Sequence, residues 1–414
     1  MPGPSSLITP EEAKLRFARR YTPRPRGPER VALEGALGRV LAREAVAPED
    51  VPGFDRSTVD GYAVRAQDVS TAREAAPVQL VLVGEVLMGE AASVIVAPGT
   101  AAQVPTGGMI PPGADAVVML EDVEVRDDRR VAARRQVRPG DNILRRAEDV
   151  RAGDVALRPG TRLRPQDVGL LAAIGVTDVE VFARPLVAIV ATGDEIVPPS
   201  SRPGSGQVRD ANTYAIGALV RQGGGEPRSY GIVGDTYDVL FRTLAAARTS
   251  CDLLLVSGGT SVGEKDAVAR AIGELGAPGV IVHGVNIKPG KPTILAVVDG
   301  TPIVGLPGNP VSGMVIFDVF VRDLLRGLAG EEAPRPFGRV VRAKTDRRIP
   351  SDGVREDHIR VHLATRGETL WAVPVLGKSG IITTMTRADG IIVVPAGQKA
   401  VDEGTVVDVH LFPS

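Results

Sequence analysis

The sequence has 414 residues, 43% of them hydrophobic and 24% charged, which is typical of globular proteins with about two to four domains. Its formal net charge is −1, so the chain as a whole gives no reason to expect nucleic acid or an anionic membrane as partner. A single cysteine, Cys251, excludes an intramolecular disulfide and a thiolate zinc cluster. It precedes an apolar run, and we expect a buried, unreactive thiol.

Targeting segments are not evident. The N-terminus has no basic start followed by an apolar segment, so it does not resemble a signal peptide. No apolar run approaches the ~20 residues that a membrane-spanning helix needs. We therefore expect a cytoplasmic protein that contacts neither a membrane nor nucleic acid.

The first half of the chain predicts a helical start and then short strands. "ITPEEAKLRFARR" predicts a helix with Thr9 as N-cap and Pro10 in its first turn, and "LEGALGRVLAREA" a second short helix. "VPGFDRSTVDGYAVRAQDV" predicts an ordered loop leading into a strand. Between residues 77 and 137, β-branched segments predict a small β-rich domain: "VQLVLVGEV", "SVIVA", "AVVMLEDVEV" and "RRVAARRQV". "AGDVALRPGTRL" predicts a hairpin and "PQDVGLLAAIG" a short helix.

The second half changes character at residue 185. Continuous apolar strands such as "PLVAIVA" and "DLLLVS" alternate with amphipathic helices such as "TYAIGALVRQGG" up to residue 330, which predicts a parallel sheet with helices on both faces. The remainder returns to short strands and predicts a small β-barrel or sandwich. We therefore expect a multidomain α/β fold. Its domains are an N-terminal helical and linker domain (1–45 with 150–184), a β-rich domain (46–149), an α/β domain (185–330) and a C-terminal β-barrel-like domain (331–414).

Polar loops follow the predicted parallel strands, where functional loops of such sheets lie. "SGGTSVGEKD" combines Gly258, Gly259 and Ser261 with a helix start, which suits a phosphate, although such a turn is often only a tight connection. The acids Glu195, Asp235 and Asp266 end neighbouring strands, whereas the adjacent Asp194 equally suits a turn or N-cap. Converging carboxylates repel one another unless a cation is bound, so acids at this edge favour Mg²⁺ beside a substrate phosphate.

The segment "VNIKPGKPTIL" contains two of the only seven lysines in the chain, Lys288 and Lys291. Each is followed by a proline, which stiffens the backbone from which the side chain leaves. A solvated loop is the alternative, but the scarcity of lysine favours a pocket for a compact oxyanion. Ser312, Arg360 and Ser379 are candidates to complete it, because charge-assisted hydrogen bonds contribute about 1.5–3 kcal/mol each.

Two other patterns have simpler explanations. His358 and His362 have the spacing of metal ligands on a helix, but "DHIRVHL" alternates like a strand and argues against a metal site. Asp55 and Asp60 lie in a loop where turn chemistry explains acids more often than function does.

Eight motifs, in the same order, resemble those of the MoeA/gephyrin E-domain family of molybdopterin molybdenumtransferases. They are "PGFDRSTVDGYAV", "PTGGMIPPGADAVVM", "RRAEDV", "ATGDE", "SGGTSVGEKD", "NIKPGKP", "GLPGNPVS" and "GKSG". The resemblance covers essentially the whole chain. It implies that molybdate and adenylylated molybdopterin are converted to molybdenum cofactor and AMP with Mg²⁺ assisting. It also implies a MogA-like α/β domain, a homodimer and transient contacts with other proteins of cofactor biosynthesis.

The resemblance assigns residues by motif. Asp60, Thr106 and Asp149 would face the active site of the second subunit. Glu195, Asp235 and Asp266 would line the metal and phosphate region, and Lys288, Lys291, Ser312, Arg360 and Ser379 the molybdate pocket. This sequence departs from the family at Thr58 and Val59, and it matches only loosely around Arg360.

Two rival functions remain. A molybdopterin adenylyltransferase like MogA would use the α/β domain alone and leave the β domains without a role. A non-catalytic, pterin-binding scaffold like gephyrin would need a fused partner domain and a long linker, which this sequence does not contain.

Overall fold

The structure is a computed structural model that describes residues 7–127, 129–234, 236–259, 267–332 and 339–413. Its helices are α1 (Pro10–Ala18), α2 (Pro165–Ala173), α3 (Asn212–Gln222), α4 (Tyr237–Arg248), α5 (Ala267–Glu274), α6 (Pro310–Ile316), α7 (Arg322–Leu328) and α8 (Thr383–Thr386). A π-helical turn, Phe317–Val321, joins α6 to α7. Among the described residues, no helix is both long and apolar enough to cross a membrane.

Short strands dominate the rest of the described chain. They are β1 (Pro28–Ala32), β2 (Ala45–Val46), β3 (Arg56–Ser57), β4 (Gly61–Val64), β5 (Val78–Glu85), β6 (Thr100–Val104), β7 (Ala116–Met119), β8 (Val123–Asp127), β9 (Arg130–Ala133), β10 (Ile143–Leu144), β11 (Val155–Leu157), β12 (Asp178–Phe182), β13 (Leu186–Thr192), β14 (Ile196–Val197), β15 (Val208–Arg209), β16 (Glu226–Val233), β17 (Leu253–Ser257), β18 (Pro278–His283), β19 (Ile287–Lys288), β20 (Ile294–Val298), β21 (Thr301–Leu306), β22 (Val340–Thr345), β23 (Ile349–Pro350), β24 (Glu356–Arg366), β25 (Thr369–Pro374), β26 (Gly390–Val394), β27 (Ala400–Val401) and β28 (Val406–Leu411).

The N-terminal segment confirms one predicted helix and contradicts the other. Thr9 caps α1 by accepting a hydrogen bond from the backbone N–H of Glu12 at 3.2 Å. The prediction of a second helix in "LEGALGRVLAREA" was wrong, because only a 3-10 turn forms there, at Leu33–Gly35. The chain then turns at Gly38, with φ +73°, and its backbone pairs with residues 161–163 instead. Tertiary pairing thus overrides local helix propensity.

The β-rich region contains a six-stranded sheet in the order β7-β4-β6-β5-β9-β8. The predicted strand "SVIVA" does not form, although Val96 is buried and its N–H binds the carbonyl of Pro112. The predicted hairpin in "AGDVALRPGTRL" was also wrong, because β11 pairs with the distant β2. The first signal therefore reflects a buried apolar side chain, and the second a strand whose partner is distant in the sequence.

The α/β region has a six-stranded sheet in the order β16-β13-β17-β21-β20-β18. One hydrophobic core packs α3, α6 and α7 on one face, and a second packs α4 and α5 on the other, as predicted. The sheet is not wholly parallel, because β20 runs antiparallel to both its neighbours. Only Asp299 and Gly300 connect β20 to β21, both with positive φ, and so short a connection joins antiparallel strands.

The C-terminal region is a closed barrel. Its sheet runs β19-β24-β25-β22-β28-β26, and an additional pairing of β24 with β26 closes the ring. β24 contains both His358 and His362, so the strand assignment of "DHIRVHL" is confirmed. The first strand of this sheet, β19, belongs to the lysine segment of the α/β region. Lys288 is therefore fixed to the barrel by backbone pairing.

Candidate functional site

The carboxyl ends of the parallel strands meet at one edge of the α/β sheet. Thr192 is opposite Val233, and Ser257 is opposite both Ala191 and Leu306. A cavity of about 1110 Å³ lies between this edge and the barrel strand β24. It brings together eight of the residues singled out from the sequence: Glu195, Gly258, Gly259, Lys288, Lys291, Ser312, Arg360 and Ser379.

The two glycines after β17 occupy positions where a side chain would not fit. Gly258 has φ +99°, and a Cβ there would overlap the carbonyl oxygen of Thr192. Gly259 has φ +61°, and a Cβ there would lie 2.7 Å from Cγ2 of Val268. Backbone therefore forms the cavity wall at this strand end, which allows a bulky phosphate group close approach.

The predicted magnesium ligands are only partly described. Glu195 lines the cavity with an exposed side chain, and carboxylate oxygen at this edge suits a hard cation. Asp235, Asp266 and the phosphate-loop residue Ser261 lie outside the described residues. Within the part of the chain that is described, no three or more His, Cys, Asp or Glu side chains are grouped as a metal site. The Mg²⁺ site stays a prediction.

The lysine segment is a tight loop held on both sides. The N–H of Gly284 binds the carbonyl of Thr293 at 2.8 Å, and the N–H of Val285 binds that of Lys291 at 2.9 Å. Gly290 has φ +124°, and a Cβ there would overlap the side chain of Ile316 in α6. The glycine between the two lysines thus lets the loop pack onto the helix that carries Ser312.

The two lysines differ in their surroundings. Lys288 is opposite Asp357 in the β19–β24 register, and its Nζ lies 2.9 Å from the Oδ2 of Asp357 and 3.9 Å from a carboxylate oxygen of Asp352. Lys291 is exposed at the cavity, and no described residue forms an ion pair with it. Among the described residues, Lys291 is therefore the member of the predicted pair that has no compensating carboxylate.

Arg360 and two serines complete this wall. Arg360 is 7% exposed and donates from Nη2 to the carbonyl of Gly377 at 2.9 Å, while its buried Nε has no hydrogen-bond partner among the described residues. Burial lowers the pKa of Arg360, and the charge of Asp357 opposes that shift. Ser312, 4% exposed, lies in the first turn of α6. Ser379 lies beside it, because its carbonyl accepts from the N–H of Val311 at 3.2 Å.

Asp60, Thr106 and Asp149 do not line this cavity. They are exposed residues of the β-rich region and its loops. Asp60 accepts hydrogen bonds from the backbone N–H and from the hydroxyl of Thr106. Both bonds lower the pKa of the carboxyl, and the backbone N–H has the larger effect. Within one copy of the described chain, these residues and the cavity are separate.

Several cavity residues were missed from the sequence. Asn212, at the start of α3, donates from Nδ2 to the hydroxyl of Ser257 and to the carbonyl of Gly308, each at 2.8 Å. The buried Asp210 accepts from the N–H of Thr213 at 3.0 Å and shapes the same turn. The polar run "RDAN" before an amphipathic helix was the sequence signal that could have identified Asp210 and Asn212 as site residues. His358 also lines the cavity, and its Nε2 lies 2.8 Å from Glu356.

Cys251 takes no part in the cavity. The side chain is partly buried rather than fully buried. Burial raises the pKa of the thiol to about 11, so it is protonated near neutral pH and a poor nucleophile.

Family models match three successive parts of the chain. Residues 8–175 match the MoeA N-terminal region (domain I and II), residues 188–327 a probable molybdopterin-binding domain, and residues 342–412 the MoeA C-terminal region (domain IV). These three matches together span almost the whole sequence.

Curated and solved relatives match over similar lengths. A molybdopterin molybdenumtransferase of a Nostoc species is 34% identical over 93% of this chain and 89% of its own. The protein of the same name from Bacillus subtilis is 33% identical over 93% and 90%. A crystal structure of a Pyrococcus horikoshii molybdopterin biosynthesis MoeA protein covers 98% of this chain and 100% of its own, with 33% identity and a TM-score of 0.84.

Proposed function

The chain belongs to the MoeA family of molybdopterin molybdenumtransferases, and we propose that it transfers molybdenum from molybdate to adenylylated molybdopterin, with release of AMP. The observation that carries this proposal is one cavity with two kinds of wall. On one side is the glycine-rich end of β17, and on the other are Lys291, Arg360 and the serines of α6 and the "GKSG" loop.

The cationic wall suits molybdate, a compact tetrahedral dianion. Lys291 offers a point charge, which does not need the planar geometry that a guanidinium prefers for carboxylates. The buried Nε of Arg360 lacks a partner in the described structure, and an oxyanion oxygen would satisfy it. The hydroxyls of Ser312 and Ser379 add neutral donors. These groups bind and orient the anion.

The glycine wall suits the phosphates that link pterin and AMP. Gly258 and Gly259 admit close approach of the linkage. Glu195, with Asp235 and Asp266, would hold Mg²⁺, which supplies charge neutralisation on the departing phosphate. With both reactants in one cavity, the reaction gains the advantage of fixed proximity.

A homodimer would complete the site. Asp60, Thr106 and Asp149 are exposed and away from the cavity of their own chain, so they are free to face the cavity of a second copy. We place this dimer in the cytoplasm, in transient contact with other proteins of cofactor biosynthesis.

Turnover tests the proposal against its rivals. The protein is incubated with adenylylated molybdopterin, Mg²⁺ and molybdate, and AMP is measured. Molybdate-stimulated AMP release supports the transferase. In a separate incubation with molybdopterin and ATP, formation of adenylylated molybdopterin would instead indicate an adenylyltransferase. Pterin binding without AMP release in the first incubation would indicate a scaffold. In the Asp266→Ala variant, a Mg²⁺ titration should no longer stimulate AMP release.

A further inference from the structure

The ion pair between Lys288 and Asp357 changes the charge balance of the cavity. Asp357 is only 4% exposed, yet it lines the cavity among the cationic groups. Its Oδ2 accepts from Lys288 at 2.9 Å and from the hydroxyl of Ser351 at 3.2 Å. The buried carboxylate of Asp357 therefore lies in the wall of the cavity proposed to bind a dianion.

Backbone pairing holds this arrangement in place. The parallel register of β19 and β24 sets Lys288 directly opposite Asp357. The same strand β24 carries Arg360, and the charge of Asp357 acts on that guanidinium as well. Asp357 thus offsets positive charge on two sides of the pocket, whereas Lys291 is left uncompensated among the described residues.

Two like charges in a partly buried cavity repel strongly. The Coulomb repulsion between a carboxylate and a dianion is twice that between two unit charges, and it is larger in a partly buried site than in bulk water. Burial of Asp357 keeps salt from screening much of that repulsion. The carboxylate therefore opposes anion binding by more than a surface acid would.

We propose that Lys288 and Asp357 form a charge-neutral unit and that Asp357 limits the affinity of the pocket for oxyanions. This inference rests on the proposed function, because it assumes that a tetrahedral oxyanion binds here. Limited affinity for the oxyanion favours catalysis. Tight binding of the substrate alone does not accelerate transfer, and a weakly held dianion is released to the pterin more readily.

A double-mutant cycle separates charge balance from simple positioning. Asp357→Asn keeps the shape and the hydrogen bond from Ser351 but removes the charge, and should tighten molybdate binding about tenfold or more. Lys288→Met leaves the carboxylate uncompensated and should weaken binding by a similar factor. The double variant has the net charge of the native protein, and its affinity should lie within a few-fold of native.

The measurement is calorimetric titration of the full-length protein with sodium molybdate alone, at fixed ionic strength. Asp402→Asn is the matched control, because it removes one exposed carboxylate of the same barrel away from the cavity; binding should not change. Misfolding cannot increase affinity. Tighter molybdate binding by Asp357→Asn therefore cannot be explained by a purely structural role of Asp357.

Each outcome decides the matter. Weaker or unchanged binding by Asp357→Asn, or a double variant as weak as Lys288→Met, would show that the charge of Asp357 does not limit oxyanion affinity. Either result would overturn the inference while the proposed function stands. Absence of molybdate binding in both the native protein and Asp357→Asn would overturn the inference and the oxyanion site together.

Discussion

Asp60 Oδ1 accepts two hydrogen bonds from one residue, Thr106: from its backbone N–H at 2.7 Å and from its hydroxyl at 3.0 Å. Both donors stabilise the ionised carboxylate, so the lowered pKa of Asp60 keeps it charged well below neutral pH. The pair is exposed, which leaves a fixed negative group at the surface of the β-rich region. In the proposed homodimer this group faces the cavity of the other subunit.

Subunit mixing tests that arrangement. Asp60→Ala and Lys291→Ala should each abolish most molybdate-dependent AMP release, because they disable different halves of every site. After subunit exchange between the two variants, half of the dimers carry one intact site of two, so activity should recover to about a quarter of native. Recovery is measured as AMP release before and after exchange. If mixing restores nothing although mixed dimers have formed, Asp60 does not act across the interface.

Arg360 should be needed for oxyanion binding beyond its charge. Arg360→Lys keeps a cation but loses the planar donors, including the bond to the carbonyl of Gly377. We expect the molybdate concentration for half-maximal AMP release to rise about 10- to 100-fold. Arg348→Lys, at an exposed arginine of the same barrel, is the control and should behave like native. Native-like molybdate dependence of Arg360→Lys would remove Arg360 from the site.

The glycine after β17 should be intolerant of a side chain. Gly258→Ala combines a positive φ with an overlap onto the carbonyl of Thr192, and should lower the free energy of unfolding by about 3 kcal/mol or more. Gly300→Ala has a similar φ, +84°, but nothing within 4 Å of its Cβ, so it should cost only about 1–2 kcal/mol. Denaturant titration of both variants measures the difference. Equal losses would mean that close packing at Gly258 is unimportant.

Glu331 links two regions of the fold and should give a pH-dependent contribution. It accepts from Arg162 at 3.1 Å and from Arg326 at 2.8 Å. Burial raises the pKa of Glu331, but the hydrogen bond from Arg326 and the charge of Arg162 outweigh it, and the net pKa is lowered. Its stabilisation is therefore complete above the unfolded pKa of about 4.3 and is lost as the pH falls through the lower folded value.

Glu331→Gln should accordingly reduce the free energy of unfolding by about 3 kcal/mol at neutral pH. The difference from native should shrink in acid, where native Glu331 takes up a proton. Glu403→Gln, at an exposed position, is the control. Urea titrations between neutral pH and about pH 3 measure both; a difference that does not depend on pH would contradict the ion-pair explanation.

Periodicity predicted the α/β region well because its strands are buried on both faces. Runs such as Leu253–Ser257 and helices such as Tyr237–Arg248 appear close to where they were expected. Prediction failed where long-range pairing decides the structure. The segment after Gly35 pairs with residues 161–163 instead of forming a helix, and no local pattern records that partner.

The same contrast between local sequence signals and long-range pairing applies to the residues of the site. Strand-end glycines and rare lysines were recognisable because their chemistry is unusual for their position. Asp357 was not recognised as part of the pocket, since one acid in a strand carries no signal until β19 pairs with β24. For the same reason, the sequence suggested two equivalent lysines, whereas the fold compensates one of them.

The most direct measurement is a crystal of the protein soaked in molybdate, with anomalous scattering used to locate the metal. The account predicts one strong peak in the cavity, within hydrogen-bond reach of the side chains of Lys291 and Arg360 and of the hydroxyls of Ser312 and Ser379. A peak elsewhere on the protein, with these four side chains left unliganded at saturating molybdate, would contradict it.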